Sequence, residues 1–192
     1  MTGLAKLENR LPAPLKKRGT AILVAILLAV GSVLGLGGWK LRGQVQAVEK
    51  IFYEKGGISD NIDARAQISA NILSLADRLP DAKADSEVKA LNKALEKLEK
   101  AKGPEEESLA DRKIEDAKIA LVDALQEPAK ADNKINDLLA GQAAEFEAAG
   151  SRISYAAKDY NKKADEMNAV LHRFPANIIR LLSGAGEVEY CK

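Results

Sequence analysis

The sequence predicts an all-α protein: an N-terminal membrane-spanning helix followed by an elongated antiparallel four-helix bundle whose last helix is the longest. Three observations predict it. The run Ala21–Trp39, AILVAILLAVGSVLGLGGW, carries no charged side chain. The composition is that of helix formers, with aromatics at only 4%, too few for a β-sandwich. Apolar residues after the run recur at steps of three and four, the period of a one-sided helix.

The apolar run defines the first element. A helix rises ~1.5 Å per residue, so about 20 residues cross a ~30 Å hydrocarbon core. Within the run Ser32 is the one polar side chain before Trp39. Lys16-Lys17-Arg18 and Ala29-Val30-Gly31 resemble parts of a cleaved signal. The apolar residues continue through Val33, Leu34 and Leu36, however, which is longer than a signal core and reads as a retained anchor. The chain thus divides into a basic segment (1–19), a transmembrane helix (20–39) and a helical domain (40–192). Gly31 and Gly35 form a GxxxG pair, which permits close approach of a second helix.

The domain elements follow in order. Gly43 to Phe52 extends the membrane helix outward, and Phe52-Tyr53 with Gly56-Gly57 marks a turn. Ile62, Ile68, Ile72, Leu75 and Leu79 mark a helix entered at Ser59 or Asp60 and ended near Pro80. Val88, Leu91, Leu95 and Leu98 mark a second, ended at Gly103-Pro104. Leu109, Ile114, Ala117, Leu121 and Leu125 mark a third, ended near Pro128. The longest seam runs Ile135, Leu139, Gln142, Phe146, Ala149, Ile153, Ala156, Tyr160, Ala164, Met167, Leu171, Phe174, with Gln142 as its polar exception. Asp132 or Asn133 caps its start, Pro175 stops it, and Gly141 and Gly150 weaken it locally. None of these one-sided helices is stable alone, but together they bury a shared core.

Charge bounds the partners. Residues 1–42 hold seven basic side chains against Glu8, which leaves −5 for the remainder of a chain whose net charge is +1. An acidic domain lacks the basic face that phosphate binding needs, so nucleic acid is set aside. Lys16, Lys17, Arg18, Lys40 and Arg42 instead fit anionic lipid headgroups. The Lys16-Lys17-Arg18 cluster places the N-terminus inside and the domain outside the cell membrane, which the chain crosses once.

Catalytic chemistry is not legible. His172 is the only histidine and Cys191 the only cysteine, so multi-histidine metal sites, internal disulfides and CxxC sites are out. Phosphate-loop, dinucleotide and HExxH patterns are missing. The end, Cys191-Lys192, lacks the prenylation form. The reading is a non-enzyme with no cofactor and no metal.

The segment SRISYAAKDYNKKADEMNAVLHRFPANIIRLLSG resembles the C-terminal signature of the LemA family. Arg152, Ile153, Tyr155, Tyr160, Asn161, Asn168, Phe174, Pro175, Asn177 and Ile178 occupy that signature in order, and Val188-Glu189-Tyr190 resembles the family's aromatic-ended tail. An R-R-x-D-L-I-P-N-L-V stretch of many members is absent; GGISDNIDARAQISANILSLADRLPDA stands in its place. The resemblance implies a bacterial single-span envelope protein with an all-helical domain and a molecular role that is itself uncertain.

The signature residues read as structural. Phe174-Pro175 ends the long helix and seats a ring in the bundle end, so that Phe174→Ala would cost ~3–5 kcal/mol. Asn177 caps a short helix, Ile178–Leu182. Tyr155 and Tyr160 bury their rings with the hydroxyls paired. Asn161 and Asn168, one heptad apart, share a face, either as a buried polar pair that fixes register or lining a ligand groove. The expected function is a membrane-anchored scaffold that docks another protein or its own copies. Alternatives are a self-assembling membrane-remodelling protein and a ligand-sensing module.

Overall fold

A computed structural model describes residues 18–79 and 83–192. They form six helices and no strand: α1 (Arg18–Phe52), α2 (Ile58–Ala76), α3 (Asp85–Lys100), α4 (Gly103–Ala129), α5 (Asn133–Leu171) and α6 (Ala176–Ser183). The all-helical class is therefore as expected. Pro80, Lys16 and Lys17 lie outside the described residues.

The chain divides into two compact units. The first combines residues up to Val45 with Ala169–Gly186, and the second holds Gln46–Asn168 and Glu187–Lys192.

In the first unit, α1 is long and apolar enough to cross a membrane. Its apolar side chains from Ile22 to Leu36 face outward, the reverse of a soluble core helix. α6 packs on it at Gly37 and Gly38. A Cβ at Gly37 would sit 3.1 Å from Ile179, and one at Gly38 would sit 2.4 Å from the Ser183 Cβ. The two glycines thus let the α6 backbone approach, as small residues do between membrane helices. Arg42 donates to the Ser183 carbonyl at the C-terminal end of α6, and Gly184 closes that end in the left-handed conformation (φ 67°). Gly31 and Gly35 have open space where a Cβ would stand.

In the second unit, α2 to α5 contribute to one core. Ile68, Ile72 and Leu75 meet Leu91 and Ala94 of α3, Ile114, Leu121 and Leu125 of α4, and Leu139 and Phe146 of α5. Full burial of a side chain of this size contributes roughly 1.5–3 kcal/mol. Phe52 is also fully buried, its ring 5.6 Å from that of Tyr160.

Local chemistry sets the boundaries. The turn between α1 and α2 needs both its glycines: Gly56 has φ +75°, and a Cβ at Gly57 would lie 2.6 Å from the Glu54 carbonyl oxygen. α2 starts at Ile58, ahead of the expected Ser59 or Asp60. Asp60 reaches back to the Gly56 N–H (2.7 Å), while the Ser59 hydroxyl donates to Glu107. Asp85 and Glu87 open α3 and Lys97 and Lys100 close it, complementing its dipole. Pro104 begins α4 rather than ending the helix before it, because a proline in the first turn gives up no intrahelical bond. The Glu106 carboxylate accepts from the Lys102 N–H at 2.8 Å, half of a capping box. Asp132 caps α5 by accepting from the N–H groups of Lys134 and Ile135 (2.9 and 3.3 Å). Gln142, the polar exception in the seam, accepts from Asn71 across to α2 at 2.9 Å. Leu109, expected on an apolar face, is exposed.

Candidate functional site

The signature on α5 clasps the segment Glu187–Lys192. Asn168 is buried and pairs both amide atoms with the backbone of Val188. Its Nδ2 donates to the Val188 carbonyl (3.0 Å), and the Val188 N–H donates to Oδ1 (2.9 Å). Asn161 repeats the pattern at Cys191, with Nδ2 to the carbonyl (2.7 Å) and the Cys191 N–H to Oδ1 (2.9 Å). Between them the Tyr160 hydroxyl donates to the Glu189 carbonyl at 2.7 Å.

The spacing explains why two side chains seven apart hold two backbone units three apart. Seven helical residues rise ~10.5 Å, and three extended residues span ~10 Å. Each Asn amide therefore presents one donor and one acceptor, as a neighbouring strand would, at the repeat of an extended chain. Val188 and Cys191 turn their side chains inward and are buried. Tyr190 donates to Asp165 (2.8 Å) and accepts from Asn168 (3.2 Å). On α4, Ser108 accepts from the Lys192 N–H (3.0 Å), and Glu105 pairs with the Lys192 ammonium. Gly103 has φ +84°, and a Cβ there would meet the Glu189 carboxylate at 2.5 Å. Burial pushes the Cys191 thiol above its ordinary value and the Tyr160 hydroxyl well above its own.

A second polar cluster lies nearby in the same unit. Arg65 of α2 is buried and pairs with Asp111 and, at 3.1 Å, with Glu115 of α4. Its guanidinium carbon sits 3.9 Å from the centroid of the Phe146 ring. The Lys118 ammonium lies 4.4 Å from the same centroid and 2.7 Å from Glu147. Cations over an aromatic face gain from the ring quadrupole. Asp111 is pushed up to about 6, because burial outweighs the pull of Arg65. Asp111 Oδ1 and Arg65 Nε are buried without a hydrogen-bond partner. A cleft of about 720 Å³ adjoins the cluster, lined by Arg112, Ser154, Lys158 and Asn161 among others.

The signature residues have different fates. Tyr160, Asn161 and Asn168 converge on residues 188–191, so the two asparagines bind backbone rather than each other. Arg152 donates to Asn61 at 2.7 Å, and Asn61 in turn holds the Gly57 carbonyl at 2.6 Å. Ile153 is buried as expected. Tyr155 is 76% exposed, so its ring is not in the core. Phe174 is 79% exposed and seats in no bundle end. Its truncation therefore removes none of the core contacts behind the expected ~3–5 kcal/mol. α5 ends at Leu171, ahead of Pro175, and Pro175 occupies the cap position of α6. Asn177 lies inside α6, where its Oδ1 accepts from the Ile178 N–H (2.8 Å), and caps nothing. Lys40 and Arg42 are exposed. Arg18 is the first residue of α1.

Periodicity pointed to neither the Arg65–Asp111 pair nor the partners Glu105, Ser108 and Asp165. A buried ion pair reads in sequence as two ordinary surface charges, and an extended segment with isolated side-chain contacts has no period. Among the described residues no three His, Cys, Asp or Glu side chains converge as metal ligands. Comparison with known proteins gives no match to a family model, to a curated protein or to a solved structure.

Proposed function

We propose that this chain is a membrane-anchored, non-enzymatic interaction protein of the LemA type. In this reading α1 crosses the cell membrane once, with Lys16, Lys17 and Arg18 inside. α2 to α5 form an antiparallel four-helix bundle outside, which docks a protein partner or further copies of the chain. The observation that carries it is α1 itself, with its apolar side chains outward from Ile22 to Leu36 and Phe52 at its far end buried in the domain core. The short connections Ala101–Lys102 and Lys130–Asp132 support antiparallel neighbours. The ten signature positions, and the tail that Tyr160, Asn161 and Asn168 clasp, support the family. Crosslinking in intact membranes tests the reading: adducts heavier than the monomer are expected, and a purely monomeric pattern overturns it.

A second reading, ligand sensing, draws on the partnerless Asp111 and Arg65 atoms beside the cleft. It places the ligand beside Asn161 rather than between the two asparagines.

A further inference from the structure

The first unit carries a second apolar surface that the anchor alone does not explain. α6 turns Ile178, Leu181 and Leu182 outward, at the i, i+3, i+4 spacing of one helix face. Leu181 is 82% exposed and Phe174, just ahead of the helix, is 79% exposed. Ile179 and Ser183 lie on a different face and rest on Gly37 and Gly38. An eight-residue helix is marginal by itself in water, yet this one is seated, capped by Arg42 and Gly184, and presents three large apolar side chains.

The place of the seat says what covers that face. Gly37 and Gly38 stand between Leu36, the last outward-facing aliphatic side chain of the apolar run, and Trp39, which is 79% exposed. Lys40 follows one residue later. Tryptophan and lysine in that order mark the boundary between acyl chains and headgroups. At ~1.5 Å per residue, the seat lies within about 5 Å of Lys40 along α1. This is the depth at which interfacial helices bury an apolar face.

Charge gives an independent sign. No Asp or Glu occurs from Arg18 to Val45 or from Ala169 to Gly186, while Lys40, Arg42, Arg173 and Arg180 do. Both stretches belong to the one unit, although more than a hundred residues separate them in the chain. Acid-free, basic-rimmed apolar surface suits anionic headgroups above acyl chains. A protein groove would need no such exclusion of acids.

We propose that α6 and Phe174 form an interfacial foot. Ile178, Leu181, Leu182 and Phe174 insert into the outer edge of the hydrocarbon of the bilayer that α1 crosses, and Arg173 and Arg180 remain among the headgroups. The proposal rests on the reading of α1 as a membrane span, and the test separates the two.

The full chain is reconstituted in vesicles of phosphatidylcholine and phosphatidylglycerol, brominated either near the headgroup or near the chain ends. In the native protein Trp39 is the only tryptophan, so its quenching by the shallow bromines reports α1. Leu181→Trp in a Trp39→Phe background reports α6, with Phe174→Trp in the same background as a second probe should the first fail to fold. The expected result is blue-shifted emission from both probes, quenched by shallow bromines at least as strongly as native Trp39 and less by deep ones. Leu138→Trp in the same Trp39→Phe background, on the exposed side of α5, should be quenched by neither. Quenching of Trp39 with none at positions 181 and 174 overturns the foot and leaves the span standing. Blue-shifted emission at 181 and 174 without bromine quenching assigns the face to protein and likewise overturns it. Unquenched native Trp39 overturns the span, and the foot with it.

Discussion

Replacing Asn168 with Ala deletes three hydrogen bonds at once, one to the Tyr190 hydroxyl (3.2 Å) and a pair to the backbone of Val188 (3.0 and 2.9 Å). Each such bond contributes a net ~0.5–1.5 kcal/mol, so the pair is worth about 1–3 kcal/mol. Were the segment 187–192 to stay in place, the Val188 N–H and carbonyl would remain buried and unpaired, at ~1–3 kcal/mol each. Release of the segment into water avoids that penalty. The loss therefore appears as local opening rather than as global unfolding. Cys191 reads it directly. Its thiol is buried and its carbonyl and N–H are held by Asn161, so a maleimide reaches it only when the segment lifts. A cost of 1–3 kcal/mol corresponds to a ~5- to ~150-fold faster modification, at ~1.4 kcal/mol per tenfold. Glu166→Ala, at an exposed position on the same turn, should leave the rate unchanged. An unchanged rate for Asn168→Ala, in a protein that keeps its helicity, would refute the clasp.

Two further perturbations address the buried pair and the glycine seat. In the folded chain burial pushes Asp111 up to about 6, from an ordinary value of 3.8. Between those values the folded state holds more protons, so the stability from this group is complete below about pH 4 and lost as pH rises through about 6. Asp111→Asn keeps a neutral side chain at every pH, so it should remove the stability loss that the native chain suffers as pH rises through about 6. Relative to the native protein the variant should therefore gain stability between about pH 4 and pH 7; thermal melts of both proteins across that range check it, and a difference that does not change with pH counts against the assignment. Gly38→Val drives a Cβ into Ser183 and should unseat α6, so that trypsin cuts after Arg173 and Arg180 faster in micelles. Gly43→Val, where nothing lies within 4 Å, should not, and equal cleavage of the two variants would contradict the seat.

Much of the helical layout was legible because burial on one side imposes a period. The α5 seam shows it: from Leu139 to Leu171 its apolar positions are buried or half-buried, and Asp132 caps the start. What misled was the assumption that large apolar side chains seek a protein core. Phe174 and Tyr155 stand in step with a helical signature, yet both are exposed. Period tells which face a residue occupies but not which medium covers that face. Boundaries set by proline were legible only to within a turn. Pro104 carries the same sequence mark whether it ends one helix or begins the next, and only the Glu106 bond to the Lys102 N–H fixes the choice.

The candidate site was half legible, for a reason specific to asparagine. Asn161 and Asn168 were visible as two amides on one face of α5. An amide carries a donor and an acceptor on one carbon, so it satisfies another amide, a ligand or a peptide unit equally well. The spacing of seven cannot distinguish these by itself. It becomes informative only beside Val188 and Cys191, three residues apart, because a rise of ~1.5 Å over seven residues matches ~3.3 Å over three. The two intervals are commensurate for an extended segment and for no helical one, since three helical residues rise only ~4.5 Å. Paired intervals of this kind, rather than one period, are the mark in the sequence that joins the signature to residues 188–191.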